Sequence, residues 1–273
     1  MLEDEKFGAR SLAEFVGQTE AIRRLTALVG LARRREEPLG HILLVGPDGY
    51  GKRTLAQIIS RELSVNLRAT SAYAIENVGD LAAIINDLDQ GDIFFVPHVN
   101  RLRTYLVDLL APTLRSFELD IIVGKDPGAR AMRLAIKHFT LIGTIQKASD
   151  CPGDLLNSFD AVIPLQRYQE SEMLRLTERL AANAKLSVES AAVALVARLA
   201  DGNPGQLESL LRRLKLVEKE PISEQDAQEM LSVCGHGSTP PRACVGVAPA
   251  DWANLSGIEF EKLITTFLTS IRK

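Results

Sequence analysis

The sequence has few cysteines, no long hydrophobic run and no large excess of either charge, and each absence excludes a class of protein. Cys151, Cys234 and Cys244 are odd in number, far apart and without C-x-x-C spacing. This pattern argues against a zinc site or a disulfide framework and indicates free thiols in a reducing compartment. The polar N-terminus MLEDEKFGAR does not resemble a signal peptide, and no apolar run is long enough to span a bilayer. We therefore predict no membrane association and a cytoplasmic location.

The composition is that of a globular protein. The chain has 273 residues, of which 46% are hydrophobic and 25% charged, enough for one large or two modest domains. The formal net charge of −3 gives no overall attraction to nucleic acid. Any contact with DNA would need a local patch.

The stretch GPDGYGKRT at 46–54 carries the clearest chemistry. It follows the apolar run Ile42–Val45 and precedes a helical pattern, which is the strand–turn–helix setting of a P-loop. Glycines let backbone N–H groups point inward, the helix N-terminus adds partial positive charge, and Lys52 supplies a cation for the β- and γ-phosphates. Arg53 stands where a Ser or Thr hydroxyl would hold Mg²⁺, and the hydroxyl of Thr54 lies one position after the one that the motif requires. We predict a site for ATP or ADP that lacks a regular Mg²⁺ ligand.

Strand and helix patterns alternate around this motif, so we predict an α/β fold with a doubly wound parallel sheet. A buried strand is predicted at Ile93–Val96, and a β-hairpin near 117–136 from two extended runs around a glycine-rich turn. Further predicted elements are a strand at 63–70, a helix at Leu81–Leu88, a helix at 101–116 and a strand at Phe139–Gly143.

The pattern also predicts how the chain divides into parts. Residues 1–167 form the P-loop core, and 168–233 read as a small helical lid. The Gly/Pro/Ser-rich stretch 234–255 reads as a linker. Residues 256–273 form a C-terminal amphipathic helix, which is also a candidate for the start of a further, truncated domain.

The strand at Ile93–Val96 ends without the acidic residues that an NTPase uses. In such enzymes one carboxylate helps to hold Mg²⁺ and a second polarises the attacking water. Here Pro97 and His98 follow the strand. A proline side chain cannot bind a metal, and histidine is a poor ligand for Mg²⁺. We therefore expect His98 to have a structural role.

Long stretches of the chain resemble RuvB, the AAA+ motor of Holliday-junction branch migration. They are LAEFVGQ, HILLVGPDGYGKRTLAQII, NLRATSAYAIENVGDLAAIINDLDQGDIFF, LDIIVGKDPGARAMRLAIKHFTLIGT and DGNPGQLESLLRR, between Leu12 and Val233. The resemblance implies an AAA+ fold, assembly into a homo- or hetero-oligomer, and nucleotide as cofactor. The family's C-terminal winged helix, which binds DNA, has no match, and the last helix instead resembles the first helix of Mrr-type endonuclease domains.

The resemblance carries over a nucleotide pocket residue by residue. The matching residues are Phe15, Val16, Gly46, Pro47, Asp48, Gly49, Tyr50, Gly51, Lys52, Arg53, Thr54 and Tyr168. The catalytic positions are replaced. Pro97 and His98 stand at Walker B, Ile145 and Gln146 at sensor 1, Leu156 and Ser158 around the arginine finger, and Gly205 at sensor 2. We therefore assign no catalytic and no metal-binding residue.

The hairpin that the resemblance identifies docks the partner protein RuvA in the family. Lys125, Arg130 and Arg133 are the candidate partner-binding residues here, for a RuvA-like protein or for DNA. A purely solubilising role of these charges at an exposed edge is the alternative.

Three functions remain open from the sequence. The first is a RuvB-like module for DNA recombination and repair that binds ATP but hydrolyses it poorly and serves as a scaffold or regulatory subunit. The second is an active branch-migration helicase in which another carboxylate, such as Asp48, replaces the missing acids. The third is the N-terminal module of an Mrr-like restriction endonuclease or DNA-sensing protein.

Overall fold

The computed structural model describes residues 9–123, 130–217 and 220–233. The described residues up to Met230 form one compact unit. The predicted linker at 234–255, the C-terminal helix at 256–273 and Lys125 lie outside the described residues.

The unit is an α/β fold built on a five-stranded parallel sheet. The strands are β1 Ile42–Val45, β2 Leu67–Ala69, β3 Ile93–Val96, β6 Thr140–Ile145 and β7 Ala161–Pro164. Their order is β2-β3-β6-β1-β7. The P-loop strand β1 therefore lies between β6 and β7, with Leu44 opposite Thr144 and Ile163.

Helices cover both faces of this sheet, which explains why the inner strands β1 and β3 are entirely apolar. The helices within and before the sheet are α1 Thr19–Arg35, α2 Lys52–Leu63, α3 Val78–Asn86, α4 Thr104–Ser116 and α5 Gly153–Leu156. One apolar cluster contains α1 and α2, and a second contains α3 and α4. Leu43, Phe94 and Ile142 are fully buried in the sheet between them.

The second sheet is the predicted hairpin. Strands β4 Glu118–Val123 and β5 Arg130–Ala135 pair antiparallel, with Asp120 opposite Arg133. The prediction of a hairpin near 117–136 agrees with this pairing.

Within the described residues, four helices follow β7. They are α6 Glu170–Asn183, α7 Ser190–Leu199, α8 Pro204–Leu214 and α9 Glu224–Val233. Helices α6, α7 and α8 pack on one another through residues such as Leu180, Val196 and Leu207. No helix in the described ranges is long and apolar enough to cross a bilayer.

Four predicted elements had wrong bounds. The helix expected at 101–116 begins at Thr104, and the strand expected at Phe139–Gly143 is Thr140–Ile145. The strand expected at 63–70 is only Leu67–Ala69, because Leu63 still ends α2 and Ser64 adopts a left-handed conformation that closes it. The helix expected at Leu81–Leu88 begins earlier, at Val78, because Asn77 and Asp80 form a capping box.

Candidate functional site

The P-loop joins β1 to α2 and leaves the start of that helix open. Gly49 and Gly51 have φ of 86° and 83°, a left-handed conformation that favours glycine. Gly51 is the N-cap of α2, and no side chain of the described chain caps it. Backbone N–H groups at a helix start attract anions through the helix dipole. This turn can therefore accept a phosphate group.

Lys52 lies buried at the start of α2, with only 7% of the residue exposed. Its Nζ donates to the carbonyl oxygens of Gly46 and of Pro47, the latter at 2.9 Å, and lies 3.5 Å from Asp48 Oδ1. Burial lowers the pKa of Lys52, and the Asp48 carboxylate opposes this shift. The lysine is folded back onto its own loop, where a bound anion would compete with these oxygen atoms for its Nζ.

Asp48 is the centre of a polar cluster at the carboxyl ends of the strands. Its Oδ2 accepts a hydrogen bond of 2.7 Å from Gln146 Nε2, which follows β6. Its Oδ1 lies 3.7 Å from His98 Nε2, which follows β3. The sequence placed Asp48 in the P-loop but did not indicate that the residues at the Walker B and sensor 1 positions converge on it.

A cavity of about 400 Å³ opens above the P-loop, a volume in the range of small-molecule sites. Its lining includes most residues that the sequence predicted. They are Phe15, Val16, Asp48, Gly49, Gly51, Lys52, Arg53, Thr54 and Tyr168. Gly46, Pro47 and Tyr50 complete the loop and its underside but are not part of this lining.

The apolar wall of the cavity comes from the segment before α1 and from the segment between β7 and α6. Phe15 lies against the P-loop, since a Cβ on Gly51 would stand 2.8 Å from its ring. Tyr168 is buried and meets Tyr50 edge-on at a centroid distance of 6.2 Å. Burial raises the pKa of Tyr168, so its hydroxyl stays neutral. An aromatic wall beside an anion cradle suits a nucleotide base.

The start of α8 touches the P-loop directly, which the sequence did not predict. Asn203 Nδ2 donates to the Asp48 carbonyl at 3.0 Å, and the Gly205 N–H donates to the Gly49 carbonyl at 2.9 Å. A Cβ on Gly205 would lie 2.7 Å from Gly49 Cα. Glycine at the sensor 2 position thus permits backbone-to-backbone contact that a larger residue would prevent.

The remaining replaced positions carry no free cation. Ser158 is buried and accepts a hydrogen bond of 2.9 Å from Arg115 Nη1, and Leu156 packs against the second apolar cluster. His98 lies after β3 with its N–H bonded to Thr144 Oγ1 at 3.1 Å.

Among the residues that the structure describes, no group of three or more His, Cys, Asp or Glu side chains is placed to hold a metal ion.

The hairpin arginine is engaged within its own sheet. Arg133 Nε bonds to Asp120 Oδ1 at 2.8 Å, and its Nη1 lies 3.5 Å from Glu118. The hydrogen bond to Arg133 lowers the pKa of Asp120. Arg130 lies in β5, and its side chain is outside what the structure describes.

The comparisons with known proteins agree with this geometry. The family model described as the Holliday junction DNA helicase RuvB P-loop domain matches residues 8–165. The chain is similar to the solved structure of the RuvB Holliday junction branch migration motor of Thermotoga maritima, with a TM-score of 0.75 and 29% identity over 84% of this chain and 73% of that one. A point mutant of the same protein matches with a TM-score of 0.76 at 29% identity, over 84% of this chain and 74% of that one.

Proposed function

This chain belongs to the RuvB family of Holliday junction DNA helicases, and from that premise we propose that it is a nucleotide-binding module that does not hydrolyse ATP at a useful rate. It serves in DNA recombination and repair as a scaffold or regulatory subunit in the cytoplasm. The observation that carries this proposal is the contrast within one pocket. The P-loop and Lys52 are in place to hold phosphate, whereas Pro97 and His98 stand where a metal-binding and a water-polarising carboxylate are needed.

Arg53 supports binding without Mg²⁺. It lines the cavity directly after Lys52, its side chain is exposed, and it replaces the hydroxyl that would coordinate the metal. A guanidinium can neutralise phosphate charge with bidentate hydrogen bonds. It cannot position a water for attack, so it substitutes for the charge of Mg²⁺ but not for its catalytic role.

The proposed partners follow from the family. A RuvA-like protein would dock on the hairpin through Lys125, Arg130 and Arg133, and AAA+ faces would assemble the chain with itself or with a relative. The engagement of Arg133 with Asp120 makes Arg133 part of a charged surface of both signs rather than a lone cation. DNA remains a candidate ligand of the assembled form.

Calorimetry with ADP and ATP, in Mg²⁺ and in EDTA, together with phosphate release in the presence of four-way junction DNA, tests the proposal. We expect binding that changes by less than about threefold when Mg²⁺ is removed, and no release above background. Arg53→Thr restores the hydroxyl and should make binding depend on Mg²⁺. Lys52→Ala should abolish binding. Release that junction DNA stimulates would contradict the proposal.

A second candidate function is an active ATPase, and the position of Asp48 favours it. Asp48 is a carboxylate of the cavity lining that meets both His98 and Gln146. If junction DNA stimulates phosphate release and Asp48→Asn abolishes it, Asp48 has taken over the role of the missing acids.

A further inference from the structure

The carboxylate of Asp48 lies where three polar side chains converge, two of which, Lys52 and His98, line the cavity. Lys52 Nζ is 3.5 Å from Oδ1, His98 Nε2 is 3.7 Å from Oδ1, and Gln146 Nε2 is 2.7 Å from Oδ2. A P-loop lysine normally reaches the β- and γ-phosphates, and residues at the ends of the neighbouring strands serve the transferred phosphoryl group. In this chain, Lys52 and the residues after β3 and β6 already contact a carboxylate of the protein itself, that of Asp48.

The position of Asp48 is held from more than one direction. Its side chain is bonded to Gln146 at the end of β6, and its own carbonyl accepts from Asn203 at the start of α8. The next residue, Gly49, accepts from the Gly205 N–H. These contacts come from separate elements: those from α8 hold the backbone of the loop, and the bond from Gln146 orients the carboxylate.

We propose that Asp48 makes the pocket selective for nucleoside diphosphates over triphosphates. The inference rests on the proposed nucleotide binding and adds to it the class of ligand. A diphosphate ends within reach of the N–H groups at the start of α2 and of Lys52. A triphosphate that follows Lys52 adds a terminal phosphate on the side of the Asp48 carboxylate, whose side chain is 57% exposed, and the two negative charges repel.

The test is calorimetry of ADP and ATP binding to three forms of the full chain, each in Mg²⁺ and in EDTA. The forms are wild type, Asp48→Asn and Asp108→Asn. Asparagine keeps the size of the side chain and the acceptor for Gln146 but removes the charge. Asp108 is an exposed residue of α4 outside the cavity lining, so its variant controls for the change in net charge.

We expect wild type and Asp108→Asn to bind ADP at least about tenfold more tightly than ATP. Asp48→Asn should bring the two affinities within about threefold of each other, through a gain in ATP affinity. Thermal unfolding of each variant checks that the fold is intact. Appearance of ATP binding only in Asp48→Asn also supports the proposal.

The outcomes separate this inference from the proposed function. If ADP and ATP bind wild type equally, if ATP binds more tightly, or if Asp48→Asn strengthens both alike, selectivity by Asp48 is overturned while nucleotide binding stands. If neither nucleotide binds wild type or Asp48→Asn, nucleotide binding itself fails and the selectivity falls with it.

Discussion

His41 and Lys52 are both buried titratable residues, only 4% and 7% exposed, but they satisfy their polar atoms in different ways. The Leu141 N–H donates to His41 Nδ1 at 2.9 Å, so that nitrogen has no proton, and Nε2 donates to the Leu114 carbonyl at 2.9 Å. His41 is therefore neutral, and both of its ring nitrogens have a hydrogen-bond partner. Lys52 bonds to carbonyls of a loop that is built to receive an anion. His41 contributes to stability, whereas Lys52 can exchange its carbonyl partners for a bound anion.

The pH dependence of folding should report on His41. Burial lowers its pKa below the ordinary 6.5, so its contribution to stability is fully present above pH 6.5 and is lost as the pH falls towards the folded pKa. Each pH unit in that window costs up to about 1.4 kcal/mol of unfolding free energy for one proton. Denaturant unfolding at several pH values from about 5 to about 8 measures the loss of unfolding free energy.

His41→Gln keeps a donor and an acceptor but cannot titrate, so its stability should vary less over that range. His138→Gln is the matched control, because His138 is exposed. An unchanged pH profile in His41→Gln would show that another group causes the acid sensitivity.

At the scale of elements, the start of α8 is bonded directly to backbone carbonyls of the P-loop. The Gly205–Gly49 and Asn203–Asp48 hydrogen bonds join residues far apart in the chain. Asn203 also caps α8, since its Oδ1 accepts from the Gly205 N–H at 2.9 Å. A change at this contact should therefore alter both the stability of α8 and the shape of the phosphate cradle.

Gly49→Ala should be destabilising. Gly49 has a φ of 86°, and a Cβ there would lie 2.2 Å from Asn203 Oδ1. The left-handed conformation alone costs a non-glycine residue about 1–2 kcal/mol, and the clash adds to it. Gly153→Ala is the control, because a Cβ at Gly153 meets nothing within 4 Å. Equal free energies of unfolding for the two variants would contradict the close contact.

Two substitutions of Asn203 separate its roles. Asn203→Ala removes both the cap and the bond to Asp48, and should lower the free energy of unfolding by about 1–2 kcal/mol. Asn203→Asp keeps a capping oxygen but places a carboxylate oxygen against the Asp48 carbonyl instead of a donor, and its cost should be smaller if the cap is the larger contribution. Chemical denaturation measures both, and a larger loss for the aspartate variant would mean that repulsion at the P-loop outweighs the retained cap.

At the scale of the whole molecule, the compact unit joins the parallel sheet and helices α6–α8, and the cavity is lined from both. Phe15 precedes α1, Arg53 lies on α2, and Arg179 and Pro204 belong to α6 and α8. A ligand in this cavity contacts parts that are distant in the chain. Its binding energy should therefore stabilise the unit as a whole against unfolding.

Thermal unfolding should detect that coupling. ADP at about 100 times its Kd adds about 2.7 kcal/mol of stability, which corresponds to a rise in Tm of roughly 5–10 °C for a unit of this size. Lys52→Ala should show no rise at the same ADP concentration. A rise of equal size in that variant would place the nucleotide elsewhere on the molecule.

Much of this protein followed from its sequence, because the physical causes are local. Apolar four-residue runs predicted β1 and β3, and glycines with a lysine before a helical pattern predicted the phosphate cradle. The hairpin followed from its turn. The strand β7 escaped notice because Ala161–Pro164 is short and ends in proline. Element bounds at Ser64 and Asn77 depended on single backbone conformations and caps.

The tertiary structure alone decided how the replaced residues are used. The resemblance to the family identified Gln146, His98 and Gly205 as losses, since each lacks the group that the family's chemistry needs. Folding brings Gln146 and His98 to Asp48, and Gly205 to the backbone of Gly49. Such contacts join residues separated by 50 to 156 positions in the printed numbering. They depend on strand order and helix packing, which no local spacing of residue types encodes.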